Sequence, residues 1–161
     1  MNLQQIKNKI FTLEEFQSTL IFWHFKDEKI VFTNGCFDLL HQGHLHSLTT
    51  AKSFGTKLIV GVNSDSSVKR LKGESRPIKN ENERALMLAA YSFIDAVIIF
   101  EEDTPKNLIE TISPNVLAKG GDYQIENIVG ADFVLKNGGT VEVIPLIDGF
   151  STTSTIDRMG K

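Results

Sequence analysis

The stretch that decides the fold is IVFTNGCFDLLHQGHL, residues 30–45. Ile30–Thr33 is an apolar, β-branched run that predicts a buried strand, and the pattern from Leu45 to Phe54 predicts a helix. A strand that turns directly into a helix is the opening unit of a parallel α/β sheet. His41 and His44 therefore precede the first sheet helix, where free backbone N–H groups favour a bound phosphate.

Short apolar segments alternate with helical patterns along the rest of the chain. The predicted strands are 30–33, 57–62, 96–100, 116–118 and 140–144, and the predicted helices are 12–26, 45–54, 81–93, 125–136 and those beginning at 104 and 152. This alternation predicts a Rossmann-like, doubly wound α/β fold of about five parallel strands. Residues 63–80 exceed an ordinary connection and are predicted to be a working or a disordered loop.

Size and composition predict one soluble domain. The 161 residues, 41% of them hydrophobic, fit a single domain with a leading helix (1–28) and a catalytic core (29–161). A net charge of −3 argues against a surface for nucleic acid or anionic lipid. Cys36 is the only cysteine, which excludes an intrachain disulfide, and no segment is typical of a signal peptide or a membrane span. We expect a cytoplasmic protein.

The histidine pair suits phosphate chemistry. His41 and His44 are three residues apart and can face the same phosphate, while Gly43 keeps the space between them open. Their imidazoles can donate hydrogen bonds to oxygens that gain charge as a P–O bond breaks. The alternative is a zinc site with His46 as a third ligand, but the downstream cysteines of the usual zinc spacing are missing.

The segment after the first strand, Thr33-Asn34-Gly35-Cys36-Phe37, lies at the sheet edge where such folds bind ligands. Gly35 lets a ligand approach the backbone, and Asn34 can offer an amide to a triphosphate. Phe37 is expected to pack the turn, and Cys36 to be a small buried residue. For Asp38, capping of the turn and a role near magnesium or the nucleotide remain equally open.

Three further segments are directed to the same edge. Residues 69–79 hold five cations and one acid; a solvated loop is the ordinary explanation, but Lys72 and Arg76 could close over a polyphosphate. The hydroxyl-rich run 151–154 offers more groups than simple N-capping needs. Lys119 joins a cation to the flexible Gly120-Gly121, although it could instead pair with a neighbouring acid.

Taken together, these motifs resemble the cytidylyltransferase-like nucleotidyltransferase superfamily. More narrowly, five segments are similar to the adenylyltransferase domain of the bacterial ADP-heptose synthase family: FTNGCFD (32–38), LKGESRP (71–77), FEEDTP (100–105), KGGDY (119–123) and GFSTT (149–153). The resemblance implies transfer of AMP from ATP to D-glycero-β-D-manno-heptose 1-phosphate, giving ADP-heptose and pyrophosphate for lipopolysaccharide or another surface glycan.

The resemblance also implies roles for individual residues. The implied catalytic residues are His41, His44 and Lys72; the implied nucleotide-binding residues are Thr33, Asn34, Gly35, Cys36, Phe37, Gly43, Lys119, Ser151, Thr152 and Thr153; and the implied substrate-binding residues are Asp38, Arg76 and Asp122. Arg84 matches a family arginine but could equally be a structural partner. Mg²⁺ is expected on the nucleotide phosphates, with no metal held by side chains. A separate heptose-phosphate kinase is expected, and a homodimer through the leading helix with Trp23 is plausible.

Two other functions remain open from the residues. A glycerol-3-phosphate cytidylyltransferase would use the same phosphate-binding groups. That family typically carries Arg-Thr-Glu-Gly before Ile-Ser-Thr-Thr, whereas this chain has LIDGF at 146–150. A nucleotide sensor without catalysis is the second alternative, and the intact histidine pair and cation-rich loop argue against it.

Overall fold

A six-stranded, fully parallel sheet forms the centre of the computed structural model, which describes residues 2–146. The strands are β1 (Ile10–Phe11), β2 (Ile30–Gly35), β3 (Lys57–Asn63), β4 (Ala96–Phe100), β5 (Val116–Gly120) and β6 (Thr140–Ile144). The helices are α1 (Leu3–Lys7), α2 (Leu13–Phe25), α3 (Gln42–Ser53), α4 (Asp65–Lys72), α5 (Glu81–Ala89), α6 (Lys106–Ile112) and α7 (Ala131–Lys136), with a 3₁₀ turn at Ile125–Asn127. The strand order is β1-β4-β3-β2-β5-β6.

The sheet is covered on both faces, as parallel sheets require. On one face α2, α6 and α7 pack against residues such as Phe32 and Ile98. On the other face α3 and α5 pack against residues such as Val31 and Val60. Neighbouring strand residues therefore face opposite cores, which explains why β2 and β3 are apolar almost without interruption.

The leading segment is part of this sheet. Thr12 and Glu15 form the capping box that starts α2, and α2 buries Phe16, Leu20 and Trp23. Trp23 is only 9% exposed, so our expectation of Trp23 as a dimer contact is wrong: its ring packs inside the chain's own core, edge-on to Phe16. A homodimer itself stays a prediction, and so does the division of the chain at residue 28.

The Rossmann-like, doubly wound fold is confirmed, and three local predictions are wrong. The sheet has a sixth strand, β1, whose two residues are too few to show a sequence period. Residues 65–72 form helix α4 rather than an irregular loop, because Ser64 caps its start and Val68 is buried. The predicted helix 125–136 is interrupted before Ala131, where Gly130 has a φ of +85° that only glycine adopts easily.

Candidate active site

A cleft of about 590 Å³ opens at the carboxyl ends of the central strands. Strand β2 pairs with β3 on one side and with β5 on the other. The chain leaves β2 toward α3 on one face of the sheet and leaves β5 toward α7 on the opposite face. The connections diverge at this point, so the fold itself creates a crevice there, the usual ligand site of such sheets.

The cleft brings together most of the candidate residues. The predicted residues that line it are Thr33, Asn34, Gly35, Cys36, Phe37, Asp38, His41, Gly43, His44, Lys72, Arg76 and Lys119. Asp122 is exposed and does not line the cleft, which leaves its predicted contact with the substrate without a geometric basis. Ser151, Thr152 and Thr153 lie outside the described residues, as does the helix predicted from 152.

The two histidines form a stacked pair at the start of α3. Their ring centroids are 3.9 Å apart with an angle of 26° between the planes, and the ring of Phe37 supports His44 from the side at 5.4 Å. His41 is the N-cap residue of α3, yet its side chain makes no capping hydrogen bond. The Nδ1 atoms of both rings are buried and lack a hydrogen-bond partner among the described residues. Both residues also line the cleft, so neither ring is fully used by contacts within the described part of the fold.

Burial keeps this pair neutral. Burial lowers the pKa of His41, and burial, followed by smaller electrostatic contributions from the neighbouring His41 and Lys72, lowers the pKa of His44 to about 4. A neutral imidazole still donates one hydrogen bond. A phosphate beside it would favour the charged form, since an opposite charge raises the pKa of a histidine.

Lys119 brings a half-buried cation into the cleft from the end of β5. Its Nζ donates to Oδ1 of Asn34 at 3.2 Å and lies 5.8 Å from the ring centroid of Tyr123. Burial lowers the pKa of Lys119. Within the described part of the chain, Lys119 is not paired with the acid that the sequence left open: its partners there are an amide oxygen and an aromatic face. Asn34 thus holds Lys119 and offers its amide oxygen inward, a role that the sequence pattern had not suggested.

The carboxylate of Asp38 is buried and accepts hydrogen bonds from residues 76–79. Its Oδ2 accepts from Nε of Arg76 at 2.6 Å, and its Oδ1 accepts from the backbone N–H groups of Ile78 and Lys79 at 2.8 and 2.9 Å. Of the two roles left open for Asp38, these contacts favour the structural one. The carboxylate ties residues 76–79 to the turn that precedes the histidine pair.

Arg84 is the buried centre of the same region. Its side chain is 0% exposed, and it donates to Oδ1 of Asp65 and to the backbone carbonyls of Cys36 and Lys79. Of the two interpretations of Arg84, these contacts support the structural one. A buried guanidinium is tolerated here because three acceptors surround it.

Part of the lining was not predicted from the sequence. Asp103, Thr104 and Pro105, which follow β4, line the cleft, as do Asn127–Val129 before α7. The first group could have been predicted from the strand pattern, since β4 ends at the same edge of the sheet as β2 and β5. No strand pattern predicts the second group, because these residues reach the cleft only through the break before α7.

The described side chains do not form a metal cage. Residues 2–146 contain no group of three His, Cys, Asp or Glu side chains placed to hold a metal ion. The acids among the lining residues, Asp38 and Asp103, are already paired with Arg76 and Arg70. His46 is exposed and does not line the cleft, which argues against the alternative zinc site. A divalent ion carried mainly by phosphate oxygens and water fits this site, as is common for Mg²⁺.

The profile of the family described as cytidylyltransferase-like matches residues 32–146, which include most of β2, all of β3 to β6 and the whole described cleft. The chain belongs to this family. The match therefore covers both the histidine pair and the half-buried Lys119 of this cytidylyltransferase-like protein.

Curated relatives share the name bifunctional protein HldE. The protein of Koribacter versatilis is 51% identical over 150 residues, 93% of this chain and 31% of its own length. That of Nitrobacter winogradskyi is 57% identical over 86% of this chain and 28% of its own length, and that of Marinomonas sp. is 59% identical over 81% and 28%. This cytidylyltransferase-like chain thus spans about three tenths of the relatives it matches.

Solved structures agree on the fold. The lipopolysaccharide core biosynthesis protein of Thermoplasma volcanium superposes with a TM-score of 0.59 at 28% identity, over 74% of this chain and 97% of its own. Pantoate-beta-alanine ligase of Francisella tularensis superposes with a TM-score of 0.62 over 91% of this chain and 75% of its own. At 15% identity, the second likeness concerns the fold alone. Within residues 2–146 no helix of this family member is long and apolar enough to span a membrane.

The low pKa of His44 predicts a pH-dependent stability. Between pH 6.5 and about 4 the unfolded chain binds a proton at this imidazole and the folded chain does not, so stability falls as the pH falls through that window. We expect a loss of about 1–3 kcal/mol, discounted for partial exposure of the ring. Urea unfolding at pH 7 and pH 4.5 measures it. The His44→Asn variant should have a shallower dependence, and an unchanged slope would contradict the buried neutral state of His44.

Proposed function

We propose that this chain is an adenylyltransferase that transfers AMP from ATP to D-glycero-β-D-manno-heptose 1-phosphate, giving ADP-heptose and pyrophosphate. The observation that carries the proposal is the cleft at the β2–β5 divergence, which combines the histidine pair, Lys72 and Lys119. Family membership supports nucleotidyl transfer. The five segments similar to ADP-heptose synthases, and relatives 51–59% identical that are named HldE, support the choice of substrates.

The proposed step is an in-line displacement at the α-phosphorus of ATP. A phosphate oxygen of the sugar 1-phosphate forms the new P–O bond, and the bond from the α-phosphorus to the bridging oxygen breaks. The electron pair of that bond leaves with pyrophosphate. The attacking phosphate is already an anion, so the reaction needs no general base. Catalysis here consists of alignment and of neutralising charge on the phosphate oxygens.

The residues of the cleft supply these two functions. His41 and His44 would hold the triphosphate from the start of α3 and stabilise the oxygens of the pentacoordinate α-phosphorus. Lys72, at the last turn of α4, would neutralise charge on the phosphates. Thr33 to Phe37 with Gly43 would line the nucleotide, and Lys119 would approach its base or sugar side. Ser151, Thr152 and Thr153 stay predicted ligands of the β- and γ-phosphates.

Nucleotidyltransferases generally use a divalent metal ion, and we propose Mg²⁺ here. When bound, it would neutralise charge on the departing pyrophosphate. The sugar 1-phosphate must be supplied by another reaction; a separate heptose-phosphate kinase, a cytoplasmic location and a homodimer stay predictions. The bifunctional relatives are consistent with a second activity in those proteins.

A substrate panel tests the proposed function. Pyrophosphate release should be fastest with ATP and D-glycero-β-D-manno-heptose 1-phosphate, among ATP or CTP paired with several sugar 1-phosphates and glycerol 3-phosphate. Turnover with CTP and glycerol 3-phosphate alone would assign the chain to the cytidylyltransferase alternative. Nucleotide binding without turnover on any acceptor would support the sensor.

Replacing His44 should remove transition-state stabilisation. We expect His44→Ala to lower kcat at least ~100-fold, the scale for loss of one preorganised hydrogen-bond donor. The matched control is His46→Ala, which removes an exposed imidazole from the same helix outside the cleft. Initial rates of pyrophosphate release measure both variants. A wild-type rate for His44→Ala would mean that this ring is structural only.

Replacing Lys72 should affect rate more than stability, because its side chain is exposed at the end of α4 and lines the cleft. We expect Lys72→Ala to lower kcat/KM about tenfold or more, as for a lost charge-assisted contact, with little change in Tm. The control Lys69→Ala removes an exposed cation from the same helix outside the cleft and should keep the wild-type rate. Equal rates for the two variants would favour a merely solvated cation at position 72.

A further inference from the structure

One donor of Arg76 has no hydrogen-bond partner within residues 2–146. The Arg76 side chain is 14% exposed and lines the cleft, and its Nε donates to Oδ2 of Asp38 at 2.6 Å. Its Nη2 is buried without a hydrogen-bond partner among the described residues. A buried donor left unpaired is unfavourable, because its lost hydration is not replaced by a hydrogen bond. An arginine that served the fold alone would be expected to satisfy that group, as Arg84 satisfies its donors.

The hydrogen bonds of Asp38 explain why Nη2 is left over. Nε and Nη2 of an arginine point the same way and commonly bind both oxygens of one carboxylate. Here Oδ1 of Asp38 is already taken by the N–H groups of Ile78 and Lys79. Burial would raise the pKa of Asp38, but these two amides and Arg76 outweigh it and lower the pKa, so the carboxylate is ionised. Asp38 thus fixes the guanidinium through Nε and does not bind Nη2, which no other described residue binds either.

The surroundings of Arg76 select an anionic partner. The cleft also receives the cations Lys72 and Lys119 and the two imidazoles. Its described acids, Asp38 and Asp103, are each neutralised by an arginine. A ligand that satisfies Nη2 must offer an acceptor, and the remaining charge in the cleft favours an acceptor that carries negative charge.

We propose that Nη2 of Arg76 donates to a phosphoryl oxygen of a bound substrate, and that Asp38 is the positioning residue that aims it. The inference rests on the proposed function for the identity of the ligands, ATP and a sugar 1-phosphate. Both carry this chemistry, and the experiment distinguishes them. The planar guanidinium, held through Nε, would fix the orientation of that phosphate relative to the histidine pair.

Calorimetric binding to the full chain tests the proposal. The probes are α,β-methylene-ATP, in which the bond to be broken is inert, and D-glycero-β-D-manno-heptose 1-phosphate. Arg76→Ala should weaken one of them at least tenfold, which identifies the phosphate that Arg76 holds. Arg76→Lys keeps a cation for Asp38 but loses the second nitrogen, and should show the same selective loss at a nearly unchanged Tm. The control Lys79→Ala removes an exposed cation from the same loop and should leave both affinities unchanged.

A positioning role for Asp38 has its own readout. Asp38→Asn should raise the KM of the same substrate that Arg76→Ala affects, with a smaller effect on kcat, and added guanidinium ion should partly restore Arg76→Ala. Unchanged affinities in both Arg76 variants would overturn the proposal. An equal loss of both affinities that parallels a fall in Tm, and that guanidinium ion does not restore, would also overturn it. If the wild type bound neither probe, this inference would fail with the proposed function; selective binding loss without turnover on heptose phosphate would reject only the latter.

Discussion

The pairing of β2 with β3 on one side and with β5 on the other is the constraint on which the site depends. From β2 the chain moves to β3 through α3, and it reaches β5 only after β4 and α6. The connections after β2 and β5 therefore cover opposite faces, and among residues 2–146 a cleft is left between them. Residues far apart in sequence, such as His44 and Lys119, meet in this cleft because parallel strands all end at the same edge.

Behind the cleft, two buried charged groups join segments that the sheet alone would leave loose. Arg84 connects the start of α5 to the carbonyl of Cys36 and to Asp65 at the start of α4. Asp38 connects the turn before α3 to residues 76–79. Buried charges are stabilising only when hydrogen bonds surround them, and both groups meet that condition. Together these contacts join the turn before the histidine pair to the start of α4 and to residues 76–79.

The electrostatic properties of the cleft favour the binding of an anion. Burial lowers the pKa of both stacked imidazoles, with His41 and Lys72 adding to the effect on His44, and Lys119 is a partly desolvated ammonium. Each of these groups is less stable in its charged form than it would be in water. A polyphosphate reverses that balance, because its charge favours the protonated rings and pairs with the ammonium. Preorganised donors of this kind strengthen as phosphate charge develops, with little reorganisation of the protein.

Local patterns in the sequence determined the buried strands, the capped helices and the position of the histidine pair, because strand burial, capping and the strand-to-helix turn depend on near neighbours. They did not determine β1, the helix at 65–72 or the break before Ala131, where a two-residue pairing, a single buried valine and a glycine decide the outcome. Nor did they show that Asn34 holds Lys119, or that Asp38 binds Nε of Arg76 and not Nη2. Those partners are 38 to 85 residues apart, and only the tertiary structure brings them within hydrogen-bond distance. The sequence determined which chemical groups are present. Which of their hydrogen-bond donors are paired depends on packing, and only the tertiary structure decided it.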